Sequence, residues 1–221
     1  MRTDLIRRTA LAAGVLAATA GGIAAPAVAA HAAPAAEKAS VVSVQADRKT
    51  GGERQLEVRY EAQPNFYFCG PAAARNALSV QGKAISVDAM AREMGTTEDG
   101  TDSINDITPV LNKETGKGDA YRSVEITSGK ADEGQTDKLR ADVVRTVDDG
   151  RAVVANIAGT TTDTDGTVHS FEGGHYISVV GYRDNGHVVK IADSANPAQA
   201  SYDITVDNLA DWIATRGYAT S

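Results

Sequence analysis

The chain has 221 residues, with 22 Lys and Arg against 29 Asp and Glu and a formal charge of −7. This balance excludes a nucleic-acid partner, because phosphate binding needs a basic face and no Lys/Arg cluster is present beyond the amino terminus. The only cysteine is Cys69, so no intramolecular disulfide is possible.

Arg2, Arg7 and Arg8 precede an alanine-rich apolar run that is broken by glycines and Pro26 and ends in small residues. That pattern predicts a signal peptide over residues 1–29, with cleavage near 29–32. The Arg7-Arg8 pair fits both a Sec and a twin-arginine signal. Residues 30–39 read as an Ala/Pro-rich tail that cannot bury a core, and residues 40–221 as one domain. Removing Arg2, Arg7, Arg8 and Asp4 leaves 19 basic and 28 acidic residues, a charge of −9. No second membrane-length apolar run and no lipobox cysteine follow, so the mature chain is expected to be secreted, free of the membrane and monomeric.

Alternation in residues 40–45 and 56–62 predicts two strands joined at Gly51-Gly52. Good helix formers after Pro71 predict a helix ended by Gly82, followed by a second helix capped by Ser86 and closed by Gly95. Residues 96–101 form a glycine-containing loop, and residues 103–112 a helix despite Pro109. A strand is expected at 121–126. Leu139, Val143, Val144 and Val147 repeat at helical spacing over 136–147, where Asp148-Asp149-Gly150 stops the helix. The last third reads as strands at 152–159, 175–182, 187–193 and 200–206, with a hairpin turn at Asp184-Asn185-Gly186 and a closing helix over 206–215. Helices first and antiparallel strands second predict an α+β fold with two facing subdomains.

Cys69 stands before Gly70-Pro71 at the start of the first helix. Unpaired N–H groups and the positive end of the helix dipole favour a thiolate there, and Gly70 is expected to leave room for a substrate backbone. The bland reading is a small apolar residue packed beneath the helix among Phe66, Tyr67 and Phe68. A nucleophilic thiol needs a base, and His175 opens an apolar strand directly after Gly173-Gly174. His31 lies in the leader or tail, His169 in a polar loop and His187 beside a turn.

Asp193 ends the strand after the hairpin. Counting from the turn places it opposite His175 or Tyr176, where a carboxylate could orient the imidazole. Asn196 competes for that role. Gln63, six residues before Cys69, carries an amide suited to an oxyanion hole with the Cys69 N–H. Residues 161–172 match a calcium loop at Asp163, Asp165, Gly166 and Glu172 but carry Thr161 at the first ligand position, and an acidic hairpin loop is the alternative. No His/Cys spacing supports zinc, and no cofactor or metal is expected.

Together QPNFYFCGPAAARNAL, GGHYISVVGY, IADSANP and GTTEDGT resemble the double-glycine (bacteriocin-processing) peptidase-like family of papain-like cysteine peptidases. The resemblance implies the papain-like fold, a peptide or protein substrate, Cys69, His175 and Asp193 as catalytic triad and Gln63 as oxyanion donor. Cleavage after a double-glycine leader does not carry over, because members that mature bacteriocins are fused to an exporter. Two other outcomes use the same residues. One is a catalytically silent binding or scaffold protein; the other is acyl transfer to an amine, as in a transpeptidase or transglutaminase.

Overall fold

The computed structural model describes residues 52–221; the expected signal peptide, the tail and the strand at 40–45 lie outside them. The elements in chain order are β1 (Arg54–Gln55), α1 (Cys69–Ser79), α2 (Val87–Glu93), α3 (Ile104–Thr115), β2 (Arg122–Glu125), α4 (Glu133–Asp148), β3 (Val153–Thr162), β4 (Val168–Arg183), β5 (Val188–Ala192), β6 (Ser201–Thr205), α5 (Val206–Ile213) and β7 (Gly217–Thr220). All strands join one antiparallel sheet in the order β2-β7-β3-β4-β5-β6, and β1 pairs with the far end of β4. Among the described residues no helix is long and apolar enough to cross a membrane.

Strand alternation assigns the two faces of the sheet. Val153, Ala155 and Ile157 of β3, with Ile177 and Val179 of β4, pack with Leu139 and Val143 of α4 and Trp212 of α5. The intervening Val154, Tyr176 and Val180 pack with α1, α2 and α3. Helices therefore cover both faces. The α1 helix lies deepest, with Ala72, Ala73, Ala74 and Ala77 at most 1 % exposed. Their small side chains let the helix approach β4 closely enough for the Ser178 hydroxyl to donate to the Ala73 carbonyl at 2.7 Å.

Residues 56–62 do not form the expected strand. The Leu56 N–H still reaches the Val180 carbonyl, but beyond it the chain leaves the sheet and crosses α1. There the Arg59 N–H donates to Ser79 Oγ, while Asn76, fully buried, accepts from the Glu61 N–H and donates to the Glu61 carbonyl. Side chains of the helix thus do what a neighbouring strand would do, which satisfies buried backbone groups without a ladder. Two other boundaries differ from expectation. The α4 helix starts at Glu133 because Asp132 and Gln135 form a capping box, and α3 runs on to a left-handed Gly116.

Asp142 of α4 is a buried carboxylate, 2.6 Å from Lys138 Nζ, 2.6 Å from Arg145 and 3.1 Å from Arg122, and it accepts from the Tyr218 hydroxyl. Burial opposes its charge, but these donors win and hold its carboxyl below the usual range. The three cationic partners are about half exposed and can rehydrate, which discounts the cost of losing the carboxylate. Asp142→Asn is therefore expected to destabilise by about 1–3 kcal/mol, read from urea unfolding at neutral pH. A depressed carboxyl stabilises above its ordinary value of 3.8 and loses that contribution as pH falls through its folded value, so the gap between wild type and variant should close in acid.

Candidate active site

Cys69 is the first residue of α1. The position before it, Phe68, offers no side-chain cap, and the first turn holds no acidic residue, so the N–H groups at this end are not neutralised. Pro71 fits the first turn, where its missing N–H costs nothing. Cys69 is 8 % exposed and belongs to the apolar cluster of α1–α3, so part of the bland reading holds. Of the three aromatics it supposed as cover, Phe66 is 82 % exposed, while Tyr67 and Phe68 are partly buried. Gly70 is not an opening for substrate either. Thr101, from the loop before α3, occupies the space, and a Cβ on Gly70 would lie 2.6 Å from its hydroxyl oxygen.

His175 lies inside β4 rather than at its start. The strand runs unbroken from Val168, and its pairing with β3 slips between Ile157 and Gly159, opposite the glycine pair. The ring is buried and stacks on Phe171 at a centroid separation of 4.0 Å. Its Nε2 is 2.8 Å from Asp193 Oδ1. A carboxylate there accepts, so the proton sits on Nε2, and Cys69 lies close enough to the ring to raise its basicity. Burial disfavours the imidazolium, but the hydrogen bonds and charges of Asp193 and Cys69 outweigh it and raise His175 from 6.5 to about 9.

Asp193 is itself held by three donors. Oδ1 also accepts from the Ala195 N–H at 2.9 Å, and Oδ2 accepts from the Tyr202 hydroxyl at 2.9 Å. Burial pushes its carboxyl up, but His175 and these donors bring it below the ordinary range. The β4–β5 ladder places Ala192 opposite Ser178, with a bulge at Val180, so Asp193 does not stand opposite His175 or Tyr176 as the count from the turn predicts. Its side chain nevertheless reaches the ring. Asn196 is elsewhere, its Oδ1 accepting from the Ala198 N–H and its Nδ2 donating to Gln199.

Gln63 is tied to the loop after Asp193. Its backbone N–H donates to the Ser194 carbonyl, its Oε1 accepts from the Ser194 hydroxyl, and Nε2 donates to the Asn65 carbonyl at 2.9 Å. His187 is exposed beside Arg140, as expected of a turn residue. His169 is not in a polar loop. It is buried in β4, bonded to Asp163 at 2.9 Å and stacked on Tyr202 at 3.9 Å, so it backs the residue that holds Asp193.

Residues 161–172 form a β-hairpin rather than a calcium loop. Asp163 turns inward to accept from the Asp165 and Thr167 N–H groups and from His169, and Glu172 accepts from Thr160 and Ser170. Among the described residues no group of three His, Cys, Asp or Glu is placed to hold a metal ion.

Sequence reasoning missed Tyr202, Phe171 and Thr101. The strand over 200–206 was visible, but its register against β5, which sets Tyr202 opposite Ile191, depends on the long loop between them. Phe171 and His175 stack across the register slip at Gly173-Gly174.

A cysteine at the mouth of a buried helix, with an antiparallel sheet supplying a histidine and its carboxylate, defines the papain-like cysteine peptidase fold. Residues 55–220 match the sequence profile of the Peptidase_C39 like family, and the chain belongs to that family. Similar solved structures include a double-glycine-motif protease from an AMS/PCAT transporter in complex with its leader peptide (13 % identity, TM-score 0.46, covering 75 % of this chain and 91 % of that one). The peptidase domain of Streptococcus ComA, a bifunctional ABC transporter of a quorum-sensing pathway, is another (14 %, 0.46, 72 % and 96 %). A C39-like peptidase from Bacillus anthracis is a third (11 %, 0.49, 73 % and 93 %). No curated protein matches the chain significantly in sequence.

Proposed function

We propose that this protein is an exported cysteine peptidase that hydrolyses peptide bonds through an acyl-enzyme on Cys69. The observation that carries the reading is the buried chain of contacts from Asp193 through His175 to Cys69 at an uncapped helix start. The Cys69 thiolate attacks the peptide carbonyl carbon, and the oxyanion takes the Cys69 N–H together with the second N–H of Gln63 Nε2. His175, protonated, gives its proton to the leaving nitrogen as the C–N bond breaks. Water then loses a proton to His175 and attacks the thioester, and the acid departs as the C–S bond breaks. Asp193 keeps the ring in register and stabilises its charge. Export rests on the basic and apolar pattern of residues 1–29.

Iodoacetamide applied to the native protein at neutral pH tests the reading. Cys69 is expected to alkylate faster than free cysteine, and His175→Ala to remove the excess. A wild-type rate no greater than that of free cysteine would leave a silent, papain-like binding module as the better account. Mass spectrometry of peptide products with and without added amine separates hydrolysis from acyl transfer.

A further inference from the structure

We propose that the cavity walled by Arg216, beside the Cys69–His175 pair, is a subsite for an aspartate or glutamate side chain of the peptide substrate; this rests on the peptidase reading. The cavity is lined by Arg216, Asn156, Ser103 and Thr215 and also by the carboxylates of Asp102 and Glu125, among others. Its walls connect to both residues through intervening side chains. Asp102 and Ser103 follow Thr101, which packs on Gly70, next to Cys69. On the other side a terminal nitrogen of Arg216 would lie 3.5 Å from a Cβ on Gly174, the residue before His175. Asn156 forms the back wall and donates to the hydroxyl of Tyr176, the residue after His175.

Arg216 carries a permanent charge that the fold leaves unanswered. Its Nε is buried with no hydrogen-bond partner, and its guanidinium forms no ion pair among the described residues. Three carboxylates stand near. Asp106 is engaged by the Ser103 N–H and hydroxyl, Glu125 accepts from Asn105, and Asp102 is exposed at the rim. None lies within ion-pair distance of Arg216. The Arg216 backbone is pinned on both sides. Its N–H donates to the Ile213 carbonyl, and its own carbonyl accepts from the Ile126 N–H.

Around Arg216 the backbone has little freedom to relax. Thr215 adopts φ 67°, a strained region for a β-branched residue, and Gly217 is pressed so close to β2 that a Cβ would meet the Val124 carbonyl at 2.7 Å. A partly desolvated guanidinium on a pinned backbone, with no ion-pair partner of its own among the described residues, is suited to a carboxylate, which it can grip through two parallel hydrogen bonds. A peptide lying across Cys69 with an acidic residue near the scissile bond would supply it.

The test uses the full chain carrying Cys69→Ala, so that binding is read without turnover. Short peptides that differ at one position, Asp against Asn against Lys, are titrated by fluorescence anisotropy. At one position the Asp peptide is expected to bind about tenfold or more tighter than its Asn isostere, as a charge-assisted pair would give. Adding Arg216→Gln should abolish the difference, and Arg216→Lys should keep part of it. Equal binding of the Asp and Asn series, undetectable binding of all, preference for Lys, or a preference that survives Arg216→Gln overturns the proposal. If the Asp preference is found but the wild-type chain cuts none of these peptides, the subsite stands and the peptidase reading falls.

Discussion

Cys69→Ala and His175→Ala are each expected to lower kcat/KM for a peptide substrate by roughly ten-thousand-fold or more, and the double variant by little beyond either. The reason lies in how the two side chains are coupled. The two lie close together in a buried site, so removing the imidazole would leave a thiol without a base, and removing the thiol a base with nothing to activate. What survives would come from the N–H groups at the α1 start and from substrate binding. Both variants should remain folded. Cys69→Ala removes one atom from a core position, and His175→Ala leaves Asp193 with its two other donors, Ala195 and Tyr202. Steady-state kinetics beside a thermal melt separate loss of chemistry from loss of fold. Substantial turnover by folded Cys69→Ala would exclude the acyl-enzyme.

Asp193 gives the second large effect and a pH signature. Asp193→Ala removes both the charge and the hydrogen bond that fix the His175 ring, and turnover is expected to fall by about a hundred- to ten-thousand-fold. Asp193→Asn is more informative. An amide can keep its oxygen toward Nε2 and turn its nitrogen toward Tyr202, whose hydroxyl can accept, so orientation survives while the charge is lost. In the wild type the alkaline limb of kcat/KM should fall near pH 9, where His175 loses its proton; in Asp193→Asn it should shift down toward 6.5. Stability follows the same sign. The raised His175 value stabilises fully below 6.5 and ceases to do so as pH climbs through about 9. The depressed Asp193 carboxyl stabilises above 3.8 and fails as acid protonates it. Asn196→Ala, which disturbs only a turn, should change turnover little. An unmoved alkaline limb in Asp193→Asn would mean that the carboxylate does not govern the ring.

Local chemistry made much of this arrangement readable in advance. Cys69 before Gly70-Pro71 marks a helix start whatever the rest of the chain does, and Asp184-Asn185-Gly186 marks a turn because Asp184, Asn185 and Gly186 all adopt positive φ. The misreadings share a different cause. The alternation in 56–62 is genuine, but whether it pairs with a strand depends on Asn76 and Ser79, residues of a later helix whose amide and hydroxyl claim the backbone first. The length of β4 was hidden by Gly173-Gly174, which look like a boundary and are in fact an irregularity within one strand. Thr101 against Gly70 and Arg216 against Gly174 were invisible for the same reason: each contact joins segments whose separation no periodicity reports.

The way α1 holds residues 56–63 also bears on how the molecule breathes. Ladder bonds cooperate, so a strand inside the sheet opens only with its neighbours, whereas the backbone of this segment is fastened by side chains of α1 while its own Leu56, Val58 and Tyr60 are buried in the core. Gln63 lies at its downstream end, fastened to the loop that follows Asp193. Opening of residues 57–61 therefore exposes Val58 and Tyr60 but leaves Gln63 tied to Ser194. Deuterium uptake at the Arg59 and Glu61 amides would report how often these side-chain fastenings let go while the sheet stays closed.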